Sequence, residues 1–294
     1  MIQQLSILIP TYNDLCAPQV QALCDQASCI TGLEYEIIVA DDGSTNTSVI
    51  TQNQAIGLLP CCRYLRREQN SGRAAIRNFL AGSARYEWLL FLDSQVELPN
   101  AFLCRYASSD TSAQVICGGV AAGAAPTQPN TDLRHKYEQA WSASHDAKVR
   151  NDQPYNSFRT TNFIISRDVM LAHPFDEHFD GYGYEDVLFG KTLAEHQISI
   201  LHIDNAVSIA HYEPNPIYIN KVEESLRTLS HHRQQIGNYS RLIRFQQRAS
   251  WACLPLKAVF RMTRKPVRAR LCKPNPPLWL FRFYQLGYYL CLRE

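Results

Sequence analysis

The sequence predicts an α/β fold in which a mostly parallel sheet is flanked by helices. Over the first two thirds of the chain, short apolar runs that end in polar residues alternate with helical segments, which is typical of parallel sheets. The chain has 294 residues, of which 46% are hydrophobic and 19% are charged, so it can bury one large core and carry an appendage. The strand pattern stops near residue 216. We therefore expect an α/β domain over residues 1–215 and a helical, basic and aromatic extension over residues 216–294.

The predicted strands are short apolar runs, several of them rich in β-branched residues, and they precede turns or helices. In chain order they cover residues 5–9, 36–40, 61–65, 88–92, 115–120, 158–166, 198–203 and 207–210. The predicted helices cover residues 18–28, a segment after a turn at 70–72, residues 131–149 with Trp141 and His145, a segment from Glu185, and one or two helices in 219–248. The carboxyl ends of parallel strands meet at one edge of a sheet, and ligands bind there.

Polar residues follow three of the predicted strands at this edge. Thr11 and Tyr12 follow the first strand, Asp41 and Asp42 follow the second, and Asp93 follows the fourth. A lone acid at a strand end, such as Asp93, is also explained as a cap for the helix that Pro99 would start. On the helix after the third strand, Arg73 and Arg77 are spaced to share one face, which suits either a solvated surface or a phosphate contact.

A loop rich in glycine and aromatic residues runs into two adjacent carboxylates at residues 175–196. Glycine reaches backbone conformations closed to other residues, and we expect Tyr182 and Tyr184 to stack on a flat or sugar-like ligand. Glu185 and Asp186 fall in the first turn of the following helix, near the positive end of its dipole, where a carboxylate stays ionised and can act as a base. The alternative is that the pair only caps the helix.

The charge and composition of the chain argue against some classes of function. A formal net charge of +2 gives no argument for nucleic acid as a partner. The ten cysteines show no disulfide-framework spacing, and the N-terminus lacks the features of a signal peptide, so we expect a reduced, cytoplasmic protein. Residues 251–294 combine basic and aromatic side chains, which suits either peripheral contact with the inner face of an anionic membrane or a helix pair packed on the main domain.

Six segments together resemble the inverting glycosyltransferases of family 2, which have the GT-A fold, a Rossmann-like arrangement of a mostly parallel sheet and flanking helices. In order they are SILIPTYND, EIIVADDGST, NSGRAAIRN, WLLFLDSQVELP, TTNFIISRDVM and GYGYEDVLFGKTL. The resemblance covers residues 5–213. It is closest in character to the branch with bacterial chondroitin-type polymerase domains and galactosyltransferase-like enzymes, because of the Gly-Tyr-Glu-Asp element and the histidine ahead of Glu-Pro.

The resemblance implies a role for each matching residue. The base and ribose of a nucleotide, most often uridine, would be held by Thr11, Tyr12, Asp41 and Asp42, and the same pocket would be lined by Asn70, Gly72 and Arg77. Asp93 and His211 would bind a metal ion, and Asp186, or in second place Glu185, would be the catalytic base. The donor would be a UDP-sugar, and the acceptor a hydroxyl of a glycan or lipid-linked glycan in surface polysaccharide biosynthesis.

The chemistry of sugar transfer explains these residue types. A divalent cation neutralises charge on the departing diphosphate, while a carboxylate removes the acceptor proton. Oxygen ligands suit Mg²⁺ or Mn²⁺, and an added imidazole favours Mn²⁺. Gln95 stands where the family has a second acid, which weakens the predicted metal site. A nucleotide-sugar binding module without turnover is therefore the alternative, and a sugar nucleotidyltransferase ranks behind both because PTYND replaces its glycine-rich basic loop.

Overall fold

The computed structural model describes residues 1–142, 146–179 and 181–292. Its strands are β1 (Gln4–Thr11), β2 (Glu34–Asp41), β3 (Cys62–Arg66), β4 (Trp88–Leu92), β5 (Val96–Glu97), β6 (Val115–Cys117), β7 (Val120–Ala121), β8 (Asn162–Ser166), β9 (Ile200–His202) and β10 (Val207–Ile209). Its helices are α1 (Ala17–Ser28), α2 (Thr47–Gln54), α3 (Arg73–Ser83), α4 (Phe102–Ala107), α5 (Asp132–Gln139), α6 (Ala147–Asn151), α7 (Arg167–Ala172), α8 (Glu185–Glu195), α9 (Asn215–His231), α10 (Arg233–Ile236), α11 (Arg241–Arg248), α12 (Ser250–Leu271) and α13 (Leu278–Cys291).

The central sheet has seven strands in the order β3-β2-β1-β4-β8-β6-β9. Strands β1 to β4 are parallel, and β8 is antiparallel to both β4 and β6. A second sheet has the order β5-β10-β7. Because β8 runs opposite to β4, the residues that lead into β8 lie beside the residues that follow β4. This brings Thr161, whose carbonyl accepts the Asp93 N–H at 3.0 Å, to the edge where β1 to β4 end.

Two apolar cores cover the two faces of the central sheet. Strand residues that alternate along the chain face opposite ways, so Ile7 packs in one core with α1 and α4, and Leu8 packs in the other with α3, α7 and α8. A third core joins the C-terminal helices to Leu133 of α5 and Phe179 of the loop before α8. The helical extension predicted from residue 216 is present, and it is packed against the rest of the chain.

Most predicted elements are present, and several differ. The strand predicted over residues 158–166 begins only at Asn162, and the one or two helices predicted within 219–248 are three, α9, α10 and α11. The single helix predicted over residues 131–149 is wrong: the chain forms α5 and α6, and His145 lies outside the described residues. The predicted strand 115–120 is divided between the two sheets at Gly118 and Gly119. A Cβ on Gly118 would lie 2.5 Å from the side chains of Asn162 and Tyr106, so the chain turns where only glycine fits.

The C-terminal extension exposes some of its aromatic residues and buries others: Trp251 and Trp279 are 82% and 70% exposed. Tyr284, Tyr288 and Tyr289 are buried in the third core.

All ten cysteines are free thiols, as expected. In the described part of the chain, each helix is too short or too polar to cross a membrane.

Candidate active site

Three loops at the carboxyl edge of the sheet are joined by hydrogen bonds. Asn13, in the left-handed region at φ 57°, accepts on its side-chain oxygen from the N–H groups of Thr45 and Asn46, each at 2.9 Å. The Asn13 N–H donates to the Ser44 hydroxyl at 2.7 Å. Thr11 is buried and its carbonyl accepts the Asp42 N–H, whereas Tyr12 is 45% exposed. Of the two residues predicted to hold a nucleotide after β1, only Tyr12 presents its side chain to solvent.

The carboxylates that end β2 are both engaged inside the protein. Asp41 has no exposed surface and accepts from the Ser44 N–H at 2.7 Å and from the Tyr64 hydroxyl. Asp42 accepts from the N–H groups of Ser71 and Gly72 at 3.0 and 2.9 Å. These bonds fix the loop at 70–72 against the end of β2. Asp41 and Asp42 therefore shape the predicted nucleotide pocket rather than presenting free carboxylates to it.

The backbones of the loops after β2 and β3 lie so close together that the DDGST segment needs a glycine at residue 43. Gly43 has φ 77°, and a Cβ there would lie 2.7 Å from the Gln69 carbonyl carbon. Asn70 then bonds through its side-chain oxygen to the Gly72 N–H at 3.1 Å, which turns the chain into α3. Asn70 and Gly72 thus lie at the carboxyl edge, where the sequence predicted them.

Asp93, which directly follows β4, is paired with a buried arginine. The Arg77 Nη2 lies 3.0 Å from Asp93 Oδ1, with the Arg77 side chain 3% and the Asp93 side chain 33% exposed. The Arg77 Nη1 also lies 3.9 Å from Glu185 Oε1, and Arg73 approaches the same oxygen at 3.2 Å. One chain of alternating charges therefore links the end of β4 to the start of α8.

This arrangement separates the two candidate bases. The Glu185 carboxylate is buried and held between two guanidinium groups, so its charge is already compensated. Asp186 points elsewhere: it is one-fifth exposed at 21%, with Arg159 Nε at 3.7 Å and the Val187 N–H donating to it at 2.8 Å. Enclosure by protein raises the pKa of Asp186, an effect that Arg159 opposes and Glu185 reinforces. The pKa of Asp186 is thus shifted opposite to the direction that the helix dipole favours, and a raised pKa makes its carboxylate a stronger proton acceptor.

A second carboxylate lies beside the segment that follows β4. Asp14 accepts from the Ser94 hydroxyl at 2.8 Å through one oxygen and from the Gln95 amide through the other. The Gln95 carbonyl accepts the Ala210 N–H at 3.2 Å, so the exposed His211 follows immediately beside residues 93–95. The structure thus brings Asp93 and the segment carrying His211 to one place, with Gln95 between them.

The donor set here fits a divalent cation only in part. Among the described residues, no three His, Cys, Asp or Glu side chains are grouped closely enough to hold a metal ion. One oxygen of Asp93 is paired with Arg77, and Gln95 supplies a neutral amide that is donating to Asp14. Oxygens from a bound diphosphate would have to complete the coordination shell that Mg²⁺ or Mn²⁺ prefers.

The tyrosines of the glycine-rich loop before α8 contact other parts of the protein in this structure. Tyr184 takes a left-handed conformation at φ 68° and packs on the third core, where burial raises its pKa. Tyr182 lies under Arg73, whose guanidinium is 4.7 Å from the ring centroid. The glycines allow close packing instead: a Cβ on Gly183 would lie 2.9 Å from Ser225 Cβ of α9. The tyrosines thus have partners within the chain, and stacking on a ligand stays a prediction.

Sequence reasoning assigned no role to three residues that the structure places at this edge. Asn13 and Asp14 follow Tyr12 in the same segment, and their polar side chains at a strand end were the available signal. Arg159 precedes β8, and nothing in its local pattern indicated Asp186 as its partner. Such a pair between distant segments follows only from the strand order.

The family model described as Glycosyl transferase family 2 matches residues 6–171. A chondroitin synthase of Escherichia coli is 25% identical over 246 residues, which are 73% of this chain and 35% of that protein. The chain spans 28%, 52% and 35% of the lengths of three curated relatives that it matches.

Solved structures with the same fold are more distant in sequence. The mannosyltransferase PcManGT from Pyrobaculum calidifontis, in complex with GDP-Man and Mn²⁺, has a TM-score of 0.54 and 13% identity, covering 98% of this chain and 85% of that one. Glucosyl-3-phosphoglycerate synthase from Mycobacterium tuberculosis, in complex with Mn²⁺, UDP and glucosyl-3-phosphoglycerate, has a TM-score of 0.51 and 18% identity, covering 80% of each chain. These likenesses show that the fold is GT-A.

Proposed function

The chain belongs to glycosyl transferase family 2, and from that membership we propose that it transfers a sugar from a nucleoside diphosphate donor to an acceptor hydroxyl with inversion at the anomeric carbon. The donor proposed first is a UDP-sugar. The acceptor is a glycan or lipid-linked glycan of surface polysaccharide biosynthesis. A cytoplasmic location, with peripheral contact at the inner face of the membrane, is part of the same proposal.

The observation that carries the proposal is the environment of Asp186. This carboxylate lies in the first turn of α8, partly exposed, with a raised pKa, while Glu185 beside it is occupied by Arg73 and Arg77. We assign Asp186 as the base that accepts the proton of the attacking hydroxyl. Arg159, 3.7 Å away, keeps enough of the carboxylate ionised to accept that proton.

The donor is proposed to bind across the loops that follow β1 to β4. Tyr12 is exposed there for contact with the base, while Thr11, Asp41, Asp42, Asn70 and Gly72 hold the loops in place. Arg77 acts by fixing Asp93. Asp93 and His211, with the diphosphate, would hold Mn²⁺ or Mg²⁺, which would neutralise charge on the departing nucleotide. The structures of PcManGT and of glucosyl-3-phosphoglycerate synthase, each in complex with Mn²⁺ and a nucleotide or nucleotide sugar, support a divalent metal ion and a nucleotide-sugar donor.

Gln95 favours one alternative of a different class. With a neutral side chain at that position and Asp93 paired to Arg77, the chain could bind a nucleotide sugar without turning it over. Both a transferase and a binding module would bind the nucleotide sugar, but only the transferase would release the nucleoside diphosphate from it.

The test measures both quantities on the same variants. We would follow UDP and GDP release from their sugar conjugates with Mn²⁺, water serving as acceptor, and titrate UDP by calorimetry. Asp186→Asn should reduce release by roughly 10²–10⁴-fold, as expected for loss of a general base, with the Kd for UDP nearly unchanged. Glu195→Gln, at the exposed end of the same helix, is the matched control and should behave as wild type.

Two outcomes would contradict the assignment. Wild-type protein that binds UDP but releases none from any donor would support the binding module. Loss of UDP affinity in Asp186→Asn would make Asp186 part of the donor site instead of the base.

A further inference from the structure

Charge is divided sharply along this chain. Residues 1–224 carry 15 Lys and Arg against 26 Asp and Glu, whereas residues 225–294 carry 14 against one. The formal net charges of the two parts are therefore −11 and +13, which together give the +2 of the whole chain. A helical region with this excess of positive charge attracts anionic surfaces and repels cationic ones.

Helix α12 exposes apolar side chains within this basic region. Trp251, Leu254 and Met262 are 82%, 77% and 85% exposed, and Ala258 between them is exposed as well. Their spacing of three, four and four residues places them on one face of the helix. We call these four residues the outer stripe. Lys265 continues the same face.

The opposite face of α12 is the one that packs on the protein. Phe260 and Leu271 are fully buried in the third core, and Phe260 contacts Gly287 of α13. A surface helix normally turns its apolar side chains inward and its polar ones outward. Helix α12 has apolar side chains on both faces, so packing within this chain accounts for only one of them.

Cations and a further tryptophan are exposed in the same basic region. Lys265 is exposed on α12, Lys273 is exposed just after it, and Trp279 of α13 is 70% exposed, whereas the Arg264 guanidinium lies 4.8 Å from the Tyr288 ring centroid on the packed side. Helix α12 itself contains no acidic residue. Exposed tryptophan and leucine beside lysine and arginine are the combination that binds at the headgroup level of an anionic bilayer.

We propose that the outer stripe of α12 docks on the surface of an anionic phospholipid bilayer. Trp251, Leu254 and Met262 enter the boundary between headgroups and acyl chains, and Lys265 on the same face contacts lipid phosphate. This deepens the peripheral contact named under the proposed function, by assigning it to one face. It does not depend on sugar transfer, because vesicle binding is measured without a donor.

The test is co-sedimentation of the full chain with vesicles of phosphatidylcholine alone or mixed with phosphatidylglycerol. We expect binding to the anionic vesicles, little binding to the neutral ones, and weakening at high salt. Trp251→Gln/Leu254→Gln/Met262→Gln should lower the affinity for anionic vesicles at least tenfold. Lys265→Gln/Lys273→Gln should lower it about fivefold for each charge removed. The matched control is Leu58→Gln. Leu58 is apolar and 87% exposed but lies in the acidic part of the chain, so this variant should bind as wild type.

Tryptophan fluorescence separates this contact from nonspecific attraction. Lipids brominated on the acyl chain should quench Trp251, and Trp251→Phe should remove much of the quenching, while circular dichroism confirms that each variant is folded. The proposal is overturned if wild type binds neither vesicle, or if the triple variant binds as well as wild type. Self-association that the triple variant abolishes, without vesicle binding, would assign the stripe to a second copy of the chain and likewise overturn it.

Discussion

Replacement of Arg77 by methionine tests the charge network that joins β4 to α8. The guanidinium is 3% exposed and lies 3.0 Å from Asp93 and 3.9 Å from Glu185. Removal of one partner from a fully buried pair costs about 3–5 kcal/mol of unfolding free energy. Here water reaches Asp93, which is 33% exposed, and Glu185 keeps a second arginine. We therefore expect Arg77→Met to lower the free energy of unfolding by about 2–3 kcal/mol.

Arg73→Met provides the matched control one helical turn earlier on α3. Arg73 approaches the same Glu185 oxygen at 3.2 Å, but its side chain is 50% exposed, so solvent screens the pair. Exposed ion pairs contribute about 0.2–1 kcal/mol, and the contact of Arg73 with the Tyr182 ring adds about 0.5 kcal/mol. We expect Arg73→Met to cost about 1 kcal/mol.

The measurement is unfolding in urea, which leaves ionic strength unchanged, followed by far-UV circular dichroism at low salt. A double-mutant cycle of Arg77→Met with Asp93→Asn should give a coupling energy of about 1–2 kcal/mol. If Arg77→Met costs no more than Arg73→Met, or if the cycle shows no coupling, burial does not govern this network and the reasoning is refuted.

Three further predictions concern the base and the loop before it. Because burial raises the pKa of Asp186, folding favours its protonated form, and the stability that this contributes is lost as pH rises through the folded-state pKa. Asp186→Asn should then melt on the order of 2 °C above wild type at pH 8 and equal to it near pH 3, and a lower melting temperature at pH 8 would contradict the burial argument. Arg159→Gln removes a cation that holds the Asp186 pKa down, so the acidic limb of the pH–rate profile should move to higher pH; a limb that does not move excludes Asp186 as the titrating base. Gly183→Ala, at φ +83° and against Ser225, should cost about 2–3 kcal/mol in urea unfolding. Gly32→Ala, at φ +80° in open space, should cost less, and equal losses would show that only backbone strain matters.

The sequence predicted the fold well wherever local pattern and burial agreed. Strand β4 is fully apolar and was predicted at its observed bounds, residues 88–92. Helix α8 begins at Glu185, as the glycine-rich loop and the acidic first turn indicated. The alternating order of strands and helices also predicted that neighbouring elements would bury β4 and α8.

The remaining features depended on contacts between segments distant along the chain. Nothing local to Glu185 shows that arginines from α3, more than a hundred residues earlier, would occupy it and leave Asp186 as the open carboxylate. In the same way, the aromatic residues after Trp251 were predicted as one group, yet packing on α9 buries Tyr284 while Trp279 remains exposed. A sequence shows which side chains are available, and the tertiary arrangement decides which of them meet.

The packing of the loop before α8 against helix α9 restricts which substitutions can accumulate at these positions during evolution. Gly183 faces Ser225 and Gly181 faces Thr228, with no room for a Cβ on either glycine. The size of the residue at positions 225 and 228 of α9 is therefore limited by a glycine more than 40 residues earlier in the chain. Among descendants of this protein, a bulkier residue at either glycine should persist only together with a smaller one opposite. The C-terminal helices and the loop that leads into the proposed base are thus expected to diverge as one unit.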